Sequence, residues 1–313
     1  MRDFARFARR PLNATALLLL ALMLLVALLA PVLAPQPDPA NPSAFKLVGV
    51  MSDEVPRPPS ETSPLGTAPG QLDIYHTLVW GMRTAFIFGL TVAGLAALIG
   101  ISVGAVSGYM GGWLNGLLMR GTDALMSLPV FAGVWLIEVL VLGPGMETAP
   151  VAFDFPLTPF QRAAFAFDLS PVLVGLILFM WMPYARLTNA SVQLLKNAEF
   201  VTAARSVGAG GLRILARHLV PNAIGPALVL LARDVGGVVV LGAAFTFVGM
   251  PGGAEWGTLL VVGRSWILGT PGNPFAYWWA YVPATVALVL FSTTWNLLGD
   301  GLNSFLNPKT ARD

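Results

Sequence analysis

The sequence predicts an all-α, polytopic membrane protein with six transmembrane helices. Three observations lead there. Of 313 residues, 56% are hydrophobic and only 11% are charged, against about 25% charged in soluble domains, so the chain has too little polar surface to cover itself in water. Six stretches are long and apolar enough to cross a bilayer core, which needs about 20 residues per helix. The basic residues fall in alternate loops, as the positive-inside rule requires of a chain threaded back and forth through a membrane.

The first span is Ala14–Leu33. Val32-Leu33-Ala34 resembles a signal-peptide cleavage site, but the apolar run exceeds the usual h-region of about 7–15 residues and Pro35 would follow the cut, so a retained helix is expected. The loop from Pro35 to about Trp80 is rich in Pro, Ser and Asp. It predicts irregular structure held against the helices, ending in a defined turn at "LGTAPGQLDIY" (Leu65–Tyr75). Spans two to six are expected at Thr84–Ser107, Leu114–Leu142, Pro171–Ser191, Ala223–Val248 and Ala276–Leu298.

Arg2, Arg6, Arg9 and Arg10 precede span one. Arg186, Lys196, Arg205, Arg213 and Arg217 lie around the loop between spans four and five, and Lys309 and Arg312 follow span six. The alternate loops are mainly acidic. With six spans, both termini and the loop after span four are expected on the cytoplasmic side. The net charge of +2 gives no reason to expect nucleic acid. The absence of cysteine excludes disulfides, thiolate metal sites and a cysteine nucleophile. No metal site is expected.

Span two carries Ala96, Gly100, Gly104 and Gly108 at four-residue spacing, continuing to Gly112. Such stripes let helix backbones approach closely in lipid, and packing is the expected role of Gly100, Gly104 and Gly108. Gly100-Ile101-Ser102-Val103-Gly104 also matches G-x-S-x-G, but that motif needs a strand-turn-helix setting and is read as chance. Arg120, Asp123, Glu138, Arg233, Asp234 and Asp300 are charges within or at the ends of spans, where they are costly unless they face protein or water. Arg120 and Asp123, three apart, are expected to pair in an interfacial structural role. Arg233 and Asp234 point about 100° apart and each needs a partner elsewhere. Glu138 is a candidate for the translocation path.

The most distinctive stretch is "EFVTAARSVGAGGLRILARHLVPN", Glu199–Asn222. Its first part suits a short helix, with Phe200, Val201, Ala204 and Val207 at near-helical spacing. Ala203 and Ala204 are small enough for another surface to approach. Gly208 suits the left-handed residue that ends a helix. Leu212–Leu219 suits a second helix with Leu212, Leu215, Ala216 and Leu219 on one side, and Pro221 starts or re-aims span five. Arg213 and Arg217 repel as an i,i+4 pair unless they meet lipid headgroups or an acidic partner. Physics alone leaves both readings open: a hairpin lying on the membrane, or a docking element.

This stretch resembles the EAA loop of ABC importer permeases in its peptide-transporter version, "YVxAARxxG…HxxPN". The matching residues are Phe200-Val201-Thr202-Ala203-Ala204-Arg205, Gly208 and His218-Leu219-Val220-Pro221-Asn222. "PLGT" (Pro64–Thr67), "GYMGGWLN" (Gly108–Asn115), "MRGTDALMSLP" (Met119–Pro129), "EWGTLL" (Glu255–Leu260) and "NLLGDGLNSFLNP" (Asn296–Pro308) extend the similarity to the second permease subunit of dipeptide, oligopeptide and nickel importers. The chain departs from the family pattern after Leu65-Gly66-Thr67 and in "AAFTFVGM" (Ala243–Met250), where Ala stands in place of a common Glu.

The resemblance implies a type I ABC importer permease fold with a cytoplasmic coupling helix. Residues 1–80 would be an N-terminal helix and external loop, 81–300 a five-helix permease core with the coupling loop at 196–222, and 301–313 a cytoplasmic tail. It further implies a bacterial inner-membrane location, a second homologous permease subunit, two ATPase subunits and an external solute-binding protein. Glu199, Phe200, Ala203, Ala204, Arg205, Gly208, Arg213, His218, Pro221 and Asn222 would couple the chain to an ATPase. The cargo implied is di- or oligopeptide, with nickel complexes or oligosaccharides as the alternative. This chain carries no cofactor in that scheme; ATP and Mg²⁺ sit on the ATPases. The sequence itself lacks the P-loop pattern G-x-x-x-x-G-K-[ST]. Two rival classes are an ion-coupled secondary transporter, for which no internal repeat is seen, and an intramembrane enzyme, for which His76 and His218 assemble no constellation.

Overall fold

The computed structural model describes residue 7 and residues 10–38, 43–51, 53–137, 170–250, 252, 255–267, 273 and 275–306. It is all-α apart from one two-stranded pairing. Helices α1 (Pro11–Leu28) and α2 (Ala30–Leu33) are followed by strands β1 (Thr67–Ala68) and β2 (Leu72–Asp73). Then come α3 (Ile74–Met110), α4 (Gly112–Met126), α5 (Val130–Ile137) and α6 (Pro171–Leu195). The hairpin contains α7 (Glu199–Ser206), α8 (Gly211–Ile214) and α9 (Val220–Ala223), and α10 (Gly225–Phe247), α11 (Glu255–Gly263) and α12 (Val282–Leu306) complete the order. Among the described residues, five helices are long and apolar enough to span, or six if α4 and α5 count as one. The chain is therefore a multi-pass membrane protein.

The span boundaries differ from the hydropathy reading at several places. Helix α12 runs Val282–Leu306 where the sequence predicts Ala276–Leu298. Helix α3 begins at Ile74 rather than Thr84. Asp73 caps it, its carboxylate accepting the His76 backbone N–H at 3.2 Å, and a helix cap acts upstream of where the apolar run begins. The third span is not one straight helix: α4 and α5 are bent by 92° at Ser127–Pro129, where a proline removes a backbone donor and disfavours helix in the residue before it. The remainder of the expected third span, to Leu142, lies outside the described residues. The glycine stripe stops at Gly108. Gly111 and Gly112 both take left-handed φ, +67° and +55°, and form the corner between α3 and α4.

The chain divides into two compact units, Met1–Leu90 with Val235–Leu297, and Thr91–Asp234 with Leu298–Asp313. In the first unit the loop after α2 is a folded strap. Strands β1 and β2 pair antiparallel around a turn at Gly70 (φ +74°) and Gln71 (φ +56°). The buried Gln71 amide donates to Val55 O at 2.9 Å, and Leu47 bridges to Leu72. Arg57, 2.8 Å from Asp53, donates to its carboxylate and holds that carboxyl below the usual range. Tyr75 and Trp80 of α3 donate to Leu33 O and Ala34 O, at 3.2 and 2.8 Å, tying the end of the first span to the second. The core of this unit is aromatic: Phe291 packs edge-on against Phe86 and Trp256 at 5.2 and 5.9 Å.

Candidate functional site: the basic hairpin and the polar groups of its unit

The second unit holds the hairpin and the floor on which it rests. Helix α3 lies directly against α6. A Cβ at Gly100 or Gly104 would be driven into the backbone of Trp181 or Ala185, and one at Gly108 would sit 2.9 Å from Asn189 O. The stripe thus packs within this chain. Alongside it, buried Asn189 donates to Ser107 Oγ of α3 at 2.7 Å and to Asn115 Oδ1 of α4 at 2.6 Å, and accepts from Gln193 Nε2 at 2.7 Å. Sequence reasoning missed this network. Its signal was a set of amide and hydroxyl side chains inside apolar spans, which need partners in lipid.

The hairpin rests on the neighbouring helix ends. Ala105 of α3 and Val192 of α6 form one buried cluster with Val201 and Ala204 of α7, with Ile214, Leu215 and Leu219, and with Ala223 of α9. Helix α7 places Glu199 in its first turn and Arg205 in its last, each complementing the helix dipole. It ends in a Schellman motif. Ala209 N–H bonds to Ala204 O at 3.0 Å and Gly208 N–H to Arg205 O at 2.9 Å, with Gly208 at φ +81° as the left-handed residue that closes such a cap.

The second half of the hairpin departs from the expected single helix at Leu212–Leu219. It runs as α8, then a π-turn over Leu215–Leu219 in which Val220 N–H reaches back to Leu215 O, then α9. The shift falls just before Pro221, which has no N–H to give and whose ring crowds the carbonyl four residues back in α geometry. Asn222 Nδ2 donates to His218 O at 2.6 Å.

The outward face also differs from the expected one. Ala204 is 9% exposed and packs on its own chain, so it presents nothing to a partner. Ala203 and Phe200 point outward, as do Val207 and Leu212, which are 85% and 80% exposed. Arg213 and Arg217 are exposed, His218 is half-buried, and Pro221 and Asn222 are exposed. The expected single stripe is two: Val201 and Ala204 inward, Phe200, Ala203 and Val207 outward.

Of the intramembrane charges, Asp123 pairs with Arg186 of α6 at 3.4 Å and not with Arg120, which is exposed. A tertiary neighbour displaced the i,i+3 partner. Arg233 and Asp234 do find partners elsewhere. Arg233 pairs with Asp300 of α12, and Asp234 accepts from Tyr184 Oη at 2.6 Å within an apolar cluster that includes Ala96, Ala97 and Ala227. Glu138 lies outside the described residues.

The structure is thus a helical multi-pass chain with a basic, capped hairpin between two spans. The family model described as "Binding-protein-dependent transport system inner membrane component" matches residues 96–312, more than half of the chain, and the chain belongs to that family. A second model, the N-terminal TM domain of oligopeptide transport permease C, matches residues 1–47. Among similar proteins is the probable D,D-dipeptide transport system permease protein of Escherichia coli, 26% identical over 302 residues, covering 96% of this chain and 88% of the relative. The dipeptide transport system permease protein of Bacillus subtilis is 27% identical, covering 98% and 85%. The glutathione transport system permease protein of Pectobacterium atrosepticum is 28% identical, covering 98% and 91%.

Proposed function

We propose that this chain is one of two permease subunits of an ATP-driven ABC importer of di- or oligopeptides in a bacterial inner membrane. It forms half of the translocation pathway. An external solute-binding protein delivers the cargo, and two ATPase subunits, carrying ATP and Mg²⁺, drive the cycle. The organisation is a first helix and external loop over residues 1–80, a permease core over 81–300 and a cytoplasmic tail over 301–313. The hairpin is cytoplasmic and sits on an ATPase.

The observation that carries this reading is near-complete coverage by permeases whose names specify peptide transport, joined to a hairpin whose apolar side chains Val207 and Leu212 stand 85% and 80% exposed among the described residues. The test is reconstitution in proteoliposomes with the ATPases and the binding protein. Peptide uptake is expected to require ATP inside the cytoplasmic compartment; uptake driven by an ion gradient without ATP would replace this reading with a secondary transporter.

Sidedness has its own test, simplified by the lack of native cysteines. A cysteine at Ser60 is expected to react with an impermeant thiol reagent added to intact cells. One at Ser206 is expected to react only after permeabilisation. Labelling of both in intact cells would invert or abolish the assignment.

A further inference from the structure

Among the described residues, the second unit holds two ion pairs between its helices, Arg186–Asp123 and Arg233–Asp300. Arg233 lies ten residues inside span five, and Asp300, its partner on α12, lies two residues past the Leu298 end of the apolar stretch. At 1.5 Å per residue, Arg233 is about 12 Å along α10 from Gly225, and Asp300 about 9 Å from the Leu306 end of α12. Yet Arg233 and Asp300 are 45% and 61% exposed. A charge at the depth of Arg233 faces protein or a water-filled space rather than hydrocarbon.

The pair is also built in place. A Cβ at Gly299 would collide with Arg233 Cγ, so the missing side chain there opens the route by which the arginine stem crosses to Asp300. The neighbouring carboxylate, Asp234, is engaged by Tyr184. The pair is closed within one chain and asks nothing of a facing protein surface. Covering it with another subunit would strip hydration from two ions without supplying a new partner. Water on the open sides keeps that hydration.

We propose that Arg233 and Asp300 border the aqueous pathway and make it indifferent to the charge of the cargo. Because the two charges cancel locally, cationic, anionic and uncharged peptides meet no net field at this depth. The inference rests on the peptide-import reading and assigns these two residues as determinants of cargo charge tolerance.

Removing one partner exposes the other, which gives the test its sign. Uptake of the labelled tripeptides Ala-Lys-Ala, Ala-Asp-Ala and Ala-Ala-Ala is measured in the reconstituted complex. Each ratio is taken relative to wild type, so that the binding protein's own preference cancels. Arg233→Gln leaves Asp300 unpaired and is expected to raise the Lys-to-Asp peptide ratio about 25-fold, about fivefold from attracting the lysine peptide and about fivefold from repelling the aspartate peptide, the scale of one unit charge acting at about 4 Å in water. Asp300→Asn leaves Arg233 unpaired and is expected to lower the ratio by a similar factor. The double variant Arg233→Gln/Asp300→Asn is expected to return the ratio to the wild-type value. A purely structural pair predicts equal losses for all three peptides. That result, an unchanged ratio in both single variants, or failure of both to assemble while the double variant also shows no recovery, overturns the proposal. Absence of uptake of any peptide by the wild-type complex overturns the peptide reading itself.

Discussion

Replacing Gly104 with leucine is expected to abolish recovery of the folded chain. The backbones of α3 and α6 touch at this point, and even a Cβ on residue 104 would lie 3.0 Å from Ala185 Cα and closer still to its carbonyl. No side-chain rotation relieves a clash with backbone, so the two helices must separate. Separation pulls Asn189 away from Ser107 and Asn115, stranding polar groups where lipid offers no substitute. Overpacking alone costs about 3 kcal/mol, and each broken interhelical hydrogen bond in a membrane adds about 0.6–2 kcal/mol. Total stabilities are about 5–15 kcal/mol, so the loss removes a large share. The measurement is monodisperse yield by size-exclusion chromatography and the aggregation temperature in detergent. Gly94→Leu, on the same helix where an added Cβ meets nothing within 4 Å, is expected to behave as wild type. Normal yield from Gly104→Leu would show that α3 and α6 do not pack this way.

The second large effect separates the two faces of the hairpin. The double variant Val207→Asp/Leu212→Asp is expected to leave the chain folded and, on the coupling role proposed above, to release the ATPase. Both side chains are uncovered in this chain, and substitutions at such positions usually move stability by no more than about 0.5 kcal/mol. Against a partner, the same charges would be buried without counterions, which costs about 3–5 kcal/mol. At 1.4 kcal/mol per factor of ten, binding falls by about 100-fold or more. Ala204→Asp is expected to fail differently. Ala204 belongs to one buried cluster with Ala105, Val192 and Leu219, so the aspartate disrupts the hairpin's own floor. Gly208→Val forces a β-branched residue into the left-handed region, at about 1–2 kcal/mol, and loosens the turn between the two halves. Limited proteolysis of the hairpin distinguishes the cases: faster cleavage is expected for Ala204→Asp and Gly208→Val, and wild-type cleavage for the Val207/Leu212 variant. Full ATPase co-purification with that variant would leave the hairpin as a surface element of the membrane.

The sequence revealed the parts of this molecule that lipid and backbone geometry dictate locally. Apolar stretches mark the five helices long enough to span, and the bent pair α4–α5 that would make a sixth, because no spanning helix can do without them. Gly208 was legible because a left-handed helix end favours glycine. The small residues at Gly100, Gly104 and Gly108 announced close packing, although not that the partner helix would be α6 of the same chain.

What stayed hidden depends on tertiary neighbours. Composition fixes whether a segment is apolar and not whether it is straight, so the bend at Ser127–Pro129 passed as part of one span. The hairpin's apolar residues recur on two stripes, and only the floor made by Ala105 and Val192 decides that Val201 and Ala204 turn inward. Asp123 had a plausible partner one turn away on its own helix, yet Arg186, distant in sequence, took it. The Asp73 cap was readable from its chemistry but lay outside the apolar window that defined the second span.

The amide of Asn189 also constrains how the helices beneath the hairpin can move. It bonds to α3 and α4 at once, and its own backbone carbonyl is pressed against Gly108. Sliding α6 past α3 by one turn, about 5.4 Å, would break these bonds and carry the carbonyl off Gly108, where the missing side chain makes room for it. A small displacement gains no alternative set of bonds. The amide therefore acts as a register pin. On the coupling role proposed above, a push delivered at the hairpin would reach α3, α4 and α6 as a turn of the whole group, the way a key turns a lock barrel, with little of the stroke lost to slippage between the helices that receive it.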